Sequence, residues 1–373
     1  MSDSAPSAAS HPGPAGPSAA AQPAGDRHAW LEEGAHLVVP GIYRIPLPLP
    51  MDGLRAVNAY AIETADGLVM IDSGWVLDSS REVLARSLAA IGAGFGDIRR
   101  FLITHIHRDH YTQAIALRET FGMKVTLGAD EKHSLDRLLG NDPYSVSAQA
   151  ERLLRAGAQP LMEQLARAGM RPPSGDQGYA EPDEWIFSGQ IFDLGGRSLE
   201  AIATPGHTRG HVVFADHAGG LLFAGDHVLP HITPSISLEA APRELPLRDY
   251  LDSLLLVRRL PDRMLLPAHG PVTPSVHARI DELLDHHDAR LASMLGVLAD
   301  GPFTAYQVAL LVRWTSRGKR LGELDLVNQT LAVGETLSHL DLLVARGLAG
   351  VEASEGGWRY RPAGEAGEAG RPA

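Results

Sequence analysis

The chain has 373 residues, of which 44% are hydrophobic, enough to bury a large core and more than one average domain requires. A net charge of -12 and a pI near 5.8 exclude a general attraction to nucleic acid or anionic membranes, leaving only a local basic patch for either. The absence of cysteine excludes disulfides and thiolate ligands, so any metal must be held by His, Asp or Glu.

Residues 1–27 are Ala, Pro, Ser and Gly with almost no apolar bulk, a composition expected to form a disordered tail. The stretch lacks the basic start and apolar core of a signal peptide, and no later run has the length of a membrane helix, so a cytoplasmic protein is the expectation. From Ile42 a β pattern begins. Val57 to Thr64 and Leu68 to Asp72 read as a hairpin around Asp66-Gly67, and both strands are apolar enough for a sheet covered on both faces. Asp72, at the strand exit, is either a cap or an acceptor for a metal-binding histidine. Ser79 to Ile91 places Val83, Leu84, Leu88 and Ile91 on one face of a helix that should cover that sheet.

The stretch Phe101 to His110, F-L-I-T-H-I-H-R-D-H, is a strand ending in three histidines and an aspartate within six positions. That is far more metal-binding capacity than a strand end needs for structure. Imidazole with carboxylate suits Zn, Fe or Mn better than Mg or Ca. The pair His105 and His107 can grip one ion while Asp109 and His110 face a second as the chain turns into a helix. Tyr111 follows, either as a packing residue or as one able to reach the site. Residues 129–183 are helical by pattern, interrupted at Pro160, Pro172 and Pro173, and read as an insertion over the site, a lid that would shape substrate choice.

Three more strand exits carry similar residues: T-P-G-H-T-R-G-H at Thr204 to His211, A-G-D-H at Ala224 to His227, and L-P-A-H-G at Leu266 to Gly270. Gly206 and Gly225 allow the sharp turns that aim His207 and Asp226. His211, His227 and His231 are extra histidines near the mouth, either supports or substrate contacts for the site or ordinary hydrogen-bonded neighbours. A helix is expected over Leu247 to Leu260, and the catalytic domain over 28–274. Beyond Thr273-Pro274 the region 275–363 reads as a long helix, Ser275 to Leu298, with solvated His277, His286 and His287. It continues with helices Thr304 to Trp314 and Leu326 to Arg346 and a hairpin from Leu348 to Arg361. Residues 364–373 look like a second tail.

Taken with V-M-I-D-S-G ending at Gly74, these motifs stand in the order of the metallo-β-lactamase superfamily, which the chain resembles over roughly residues 40 to 275. The resemblance implies an α+β fold, a four-layered αβ/βα sandwich with metals at the edge between two sheets. It implies that His105, His107 and His207 hold one ion, that Asp109, His110 and His269 hold another, and that Asp226 bridges both. It also favours Asp72 as an acceptor for a ligand histidine. Y-T-Q-A stands at 111–114 where the superfamily often has two glycines. His107 in place of Glu argues against the flavodiiron-type branch, and the direct run from Asp226 to His269 leaves no room for a β-CASP domain.

Two transition-metal ions, Zn expected and Fe or Mn compatible, would share a water, lower its pKa and supply a bridging hydroxide for attack on a carbonyl or phosphoryl centre, with Asp109 as the catalytic residue orienting it. The favoured substrate is a small ester, thioester or lactone, as in glyoxalase II-like and lactonase-like members. The C-terminal region resembles a small winged-helix domain, as carried by endoribonuclease-type members, which makes RNA phosphodiester cleavage the alternative. Against it stand Glu335 and Asp341 on the recognition-like helix, with Arg313, Arg317, Lys319 and Arg320 as the only basic cluster. A non-catalytic scaffold or ligand-binding role is a third reading, opposed by the complete ligand set. The partner expected is a small acyl molecule, with no membrane, and the C-terminal region serving to form a homodimer or to wall the site.

Overall fold

The chain is described by a computed structural model over residues 28–50, 53–140, 148–170, 178–236, 239–315 and 317–363. Both expected tails, and Pro172 and Pro173, lie outside these residues. The first sheet grows from antiparallel neighbours: β1 (His36–Val39), β2 (Ile42–Pro48), β3 (Ala56–Thr64) and β4 (Gly67–Ile71). After α1 (Asp78–Ala90) the chain returns in parallel as β5 (Ile98–Leu102), and after α2 (Arg108–Phe121) as β6 (Lys124–Gly128). The helical insertion then supplies α3 (Lys132–Leu139), α4 (Ala148–Arg155) and α5 (Gln159–Arg167) before β7 (Glu184–Ile186) completes seven strands in sequential order. Pro160 stands in the first turn of α5, at a position where its missing N–H costs nothing.

The second sheet runs β12-β11-β10-β9-β8, from β8 (Ile191–Asp193), β9 (Ser198–Ala203), β10 (Val212–Asp216), β11 (Leu221–Gly225) and β12 (Met264–Pro267), with α6 (Pro246–Arg258) crossing between β11 and β12. Every residue of β10 and β11 is buried, as strands covered on both faces require. Side chains from both sheets meet in a shared layer that includes Ile42, Ile62, Ile71, Leu102, Phe214 and Phe223. The outer face of the first sheet packs α1 and α2 through Met70, Leu84, Phe101 and Leu117, and that of the second packs α6 and α7 through Val213, Leu254 and Ile280. The result is helix, sheet, sheet, helix, the four-layered sandwich.

Because β4 and β5 are parallel, and β9, β11 and β12 share one direction, their C-terminal ends emerge on the same edge. All the ligand-bearing motifs lie at those ends.

The C-terminal region holds α7 (Val276–Leu298), β13 (Phe303–Thr304), α8 (Ala305–Leu311), α9 (Leu326–Ala345), β14 (Ala349–Ser354) and β15 (Gly357–Pro362), the strands ordered β13-β15-β14. Its core is continuous with the layer behind the second sheet, since Leu283, Val308, Leu337 and Leu343 cluster with Leu153 and Leu161 of the insertion. Arg155 of α4 pairs with Asp341 of α9 at 2.6 Å and covers the Trp358 ring, while Arg152 donates to Ser338 Oγ at 2.8 Å. The insertion is thus clamped to α9. Two expectations fail here. His287 is buried, not solvated, and stacks on His339 at 5.2 Å, because α9 covers that face of α7. Asp341 and Glu335, expected on a recognition-like helix that would meet RNA, turn inward to Arg155, Tyr360 and Arg290. β1, β6, β7 and β13 are additional to the expected strands, each too short or too mixed in pattern to stand out.

Candidate metal centre

Five strand exits deliver the site, and the backbone at each is shaped for it. Gly206 has φ 143, and a Cβ there would meet the Tyr250 backbone at 2.4 Å; Gly225 has φ 50, and a Cβ there would meet His211 Nε2 at 2.7 Å. Neither position admits a side chain. His107 Nδ1 lies 3.0 Å from His105 Nε2 and 3.0 Å from His207 Nε2. Beside this group, Asp109 Oδ2 is 3.4 Å from His269 Nε2 and 3.6 Å from His110 Nε2. Asp226 stands between them, with Oδ2 3.5 Å from His207 Nε2 and Oδ1 3.4 Å from His269 Nε2 and 3.7 Å from His110 Nε2. All seven residues singled out as ligands in the sequence converge.

The hydrogen bonds behind the cluster decide which nitrogen of each ring faces it. His110 Nδ1 donates to Asp72 Oδ2 (2.8 Å), His207 Nδ1 to Ser235 O (2.6 Å) and His269 Nδ1 to Ala56 O (2.8 Å). Thr104 Oγ1 donates to Asp72 Oδ2 (2.9 Å) and so accepts from His105 Nδ1 (3.0 Å). Each of these four rings therefore turns Nε2 and not Nδ1 inward. Asp72 also accepts from Thr104 N (2.8 Å) and adopts φ 57, a left-handed conformation that Asp tolerates better than most residues. It is an acceptor for the ligand loops and caps no helix.

Burial and charge divide the cluster. Burial and the neighbouring imidazoles hold His105 well below its ordinary value and His207 at about 4. Burial acts in the same direction on His110 and His269 but is outweighed, at His110 by Asp109, Asp72 and Asp226, which raise it to about 9, and at His269 by Asp226 and Asp109, which raise it well above the usual range. Burial alone would raise the two carboxylates, yet His269 and His110 keep Asp226 well below the usual range and Asp109 at about 2. Negative charge thus gathers on the Asp109 and Asp226 side.

A model of the metallo-beta-lactamase superfamily matches residues 52–269. The chain belongs to that superfamily. It is 27% identical over 315 residues to the probable metallo-hydrolase YqjP of Bacillus subtilis, covering 81% of this chain and 91% of that protein. The lactamase-like protein nscB of Neosartorya fischeri is 27% identical over 245 residues, and the match spans only 57% of its length. Among solved structures, a metallo-beta-lactamase family protein from Thermus thermophilus superposes with TM-score 0.68 at 29% identity, over 87% of this chain and all of that one. A beta-lactamase domain protein from Burkholderia ambifaria gives TM-score 0.74 at 26% identity, over 92% of this chain and 96% of that one.

The superfamily uses divalent metal ions, and the donor set fits them. Asp226 Oδ1 faces the buried His269 Nε2 at 3.4 Å and His110 Nε2 at 3.7 Å, none of the three makes a hydrogen bond of good geometry among the described residues, and a cation held between them would satisfy all three. Three groups of facing donors are formed: His105, His107 and His207; His105, His110 and Asp226; and Asp109, His110 and His269.

The remaining sequence expectations resolve differently. Tyr111 is fully buried and donates to Ala180 O at 2.7 Å, so it packs and does not reach the site. His211 accepts from Asp226 N at 3.2 Å and engages Thr204 Oγ1 through Nδ1, which steadies Asp226. His227 is buried edge-on to Tyr250 at 5.4 Å, behind His211, and His231 is exposed on a loop. Thr112 and Gln113, standing where glycines are usual, hold the turn after β4: Thr112 Oγ1 accepts from Val76 N (3.1 Å) and Gln113 Nε2 donates to Ser73 O (2.7 Å).

Two supporting residues escaped the sequence reading. Glu131 is fully buried and its Oε1 accepts from Ile106 N (3.3 Å) and from Thr208 Oγ1, tying the His105 and His207 loops together. Asn58 Nδ2 donates to Pro267 O (3.0 Å) and Gly270 O (2.9 Å), holding the His269 loop. Asn58 left a trace, a polar residue inside an apolar strand. Glu131 left none.

Proposed function

We propose that the chain is a metal-dependent hydrolase with a dinuclear centre, acting on a small ester, thioester or lactone. The observation that carries this is the facing set of seven donors, with Asp226 turning one oxygen to each half. Two bound ions, Zn first and Fe or Mn compatible, would supply an activated water near neutral pH and Lewis-acid stabilisation of developing negative charge. The protein's own part is to hold the imidazoles of His105, His110, His207 and His269 with Nε2 inward and to keep both carboxylates ionised. The reacting side is the start of α2, where His107, Arg108 and Asp109 are partly exposed while His105 and His110 are fully buried. There Asp109, in the first turn of the helix, can accept a proton-bearing nucleophile and orient it.

The printed name of the Bacillus relative, a probable metallo-hydrolase, supports hydrolysis without specifying the bond. The choice of an acyl substrate over RNA is supported by α9. From Gln329 to Leu343 none of its residues is exposed, so it offers no free face to a groove. Its clamp on α4 supports a wall for the site instead. A cytoplasmic setting, and no membrane or nucleic-acid partner, accompany this reading; no helix among the described residues is long and apolar enough to cross a membrane.

The test is a panel of aryl esters, thioesters, lactones, bis-phosphodiesters and single-stranded RNA, assayed on metal-loaded protein at two ionic strengths. Acyl hydrolysis that depends little on salt is expected. RNA cleavage that falls steeply with salt, and disappears when Arg317, Lys319 and Arg320 are changed to Glu, would reverse the assignment.

A further inference from the structure

Away from the metal centre, at the seam where β1 and β2 meet the exit of β12, the surface folds into a groove of about 440 Å³. Trp30, His36, Val38, Arg44, Met264 and Val272 line it. The volume is that of a small-molecule site, and the walls are mainly apolar with one fixed cation. We propose that this groove is a second binding site, for a small monocarboxylate with an apolar body, and that its occupancy is transmitted to the loop carrying His269.

Arg44 decides the ligand class. It is 8% exposed, yet among the described residues no carboxylate stands within ion-pair distance, and the one ionisable neighbour acting on it is Tyr60. Its Nη1 points inward and donates to Trp30 O (2.6 Å) and Asn58 Oδ1 (2.9 Å), which leaves the rest of the planar fork to the groove. Among the described residues no carboxylate neutralises this guanidinium, its part not engaged by Trp30 and Asn58 opens onto the groove, and a carboxylate accepting there would gain a charge-assisted pair with it. A single negative charge matches the single cation. A phosphate dianion would bring a second charge that only His36 could meet, and His36 Nε2 is engaged with Glu32 O at 2.7 Å. Trp30, Val38, Met264 and Val272 then take the apolar body.

The same arginine touches the metal centre at one remove. Asn58, which accepts from Arg44, donates to Pro267 O and Gly270 O, and its backbone N donates to Ala268 O at 2.7 Å. Tyr60, paired across β2 and β3 with Arg44, donates to Pro267 O at 2.8 Å. Four hydrogen bonds therefore hold the loop around His269 from residues that contact Arg44 or lie opposite it. A carboxylate that draws the guanidinium toward the groove changes the pull on Asn58 and so the placement of His269. If the proposed acyl hydrolysis is correct, the ligand is of the same class as the product, but the binding itself does not depend on that reading.

The test titrates the full chain by calorimetry with octanoate and phenylacetate, and with octanamide and phenylacetamide as neutral counterparts, while hydrogen exchange is followed at Ala268 to Gly270. Saturable binding is expected, with each acid about tenfold or more tighter than its amide, and slower exchange in the loop. Arg44→Met keeps the stem and removes the charge. Leu37→Glu, at a position 62% exposed beside the groove, adds a like charge without touching the core. Each should weaken octanoate by about tenfold or more. If Arg44→Met fails to fold, Leu37→Glu decides. Equal binding of acid and amide, no saturation below about 10 mM, or octanoate binding that survives Leu37→Glu, as attachment to the metal centre would, overturns the site. Binding with unchanged exchange overturns the coupling.

Discussion

Replacing Asp72 by Asn separates the charge behind His110 from its shape. Asn tolerates the φ of 57 at this position, so the backbone is not disturbed. The wild-type carboxylate accepts three hydrogen bonds, from Thr104 N, Thr104 Oγ1 and His110 Nδ1, through both oxygens. An amide has one oxygen. In one orientation its NH2 opposes Thr104 N, and in the other it opposes His110 Nδ1–H, so one buried donor always faces another, at a cost of about 1 to 3 kcal/mol. The second orientation also favours the tautomer whose Nε2 carries the proton and cannot bind metal. In either case His110 loses its ionised acceptor, and the expected loss of metal affinity is about 10- to 100-fold, on the order of 1.4 to 2.7 kcal/mol. The loss should fall on the Asp109, His110 and His269 side. Competition with a chromophoric chelator on metal-stripped protein measures both sites, and urea unfolding measures the fold. Affinities within about twofold of wild type at both sites, with stability unchanged, would refute the role given to Asp72.

Asp109→Asn should lower kcat by about 100-fold, roughly 3 kcal/mol, with a smaller change in KM; normal turnover at full metal occupancy removes Asp109 from the mechanism. In metal-free protein His110, raised to about 9, and His269, raised further, carry protons at pH 7 that a metal must displace. Metal affinity at their site should therefore climb as pH rises from about 6.5 towards 9, with proton release visible as buffer-dependent binding enthalpy, and a flat profile contradicts this. Glu131, pushed up to about 8 by burial and by Glu239, favours folding when protonated, so its contribution is full below about 4.5 and is lost as pH rises through 8. Glu131→Gln should flatten the fall in stability over that window, read by thermal unfolding of metal-free protein, whereas an unchanged slope refutes the assignment.

That these strand exits carry donors was legible in the sequence because each sits at the abrupt end of an apolar strand, where a His or Asp has no packing reason to recur, whereas their grouping came from the resemblance and the structure adds a group of His105, His110 and Asp226 that spans both halves. The four-layered fold followed from the resemblance carried by those motifs, and the apolar strands β3, β4, β10 and β11 agree with it. Some features were not legible. Tyr111 reads as a neighbour of the site by position, but the turn of α2 points it at Ala180. His287 looks like a solvated helix residue until α9 is laid over it. Glu335 and Asp341 read as residues of a recognition-like helix, whereas packing turns them to arginines.

Sequence by itself determined which donor groups the chain can offer and where they cluster locally, because ligand type, the lack of thiols and local spacing are properties of residues and of short stretches of backbone. Tertiary structure decided which nitrogen of His110, His207 and His269 faces the donor cluster, how Glu131 and Asn58 brace loops far away in sequence, and that α9 is occupied by the insertion. These depend on partners 25 to 213 residues apart, as between Glu131 and Ile106 or His269 and Ala56, and no local pattern encodes such pairs. Only the packing of the two sheets face to face brings them within hydrogen-bond reach.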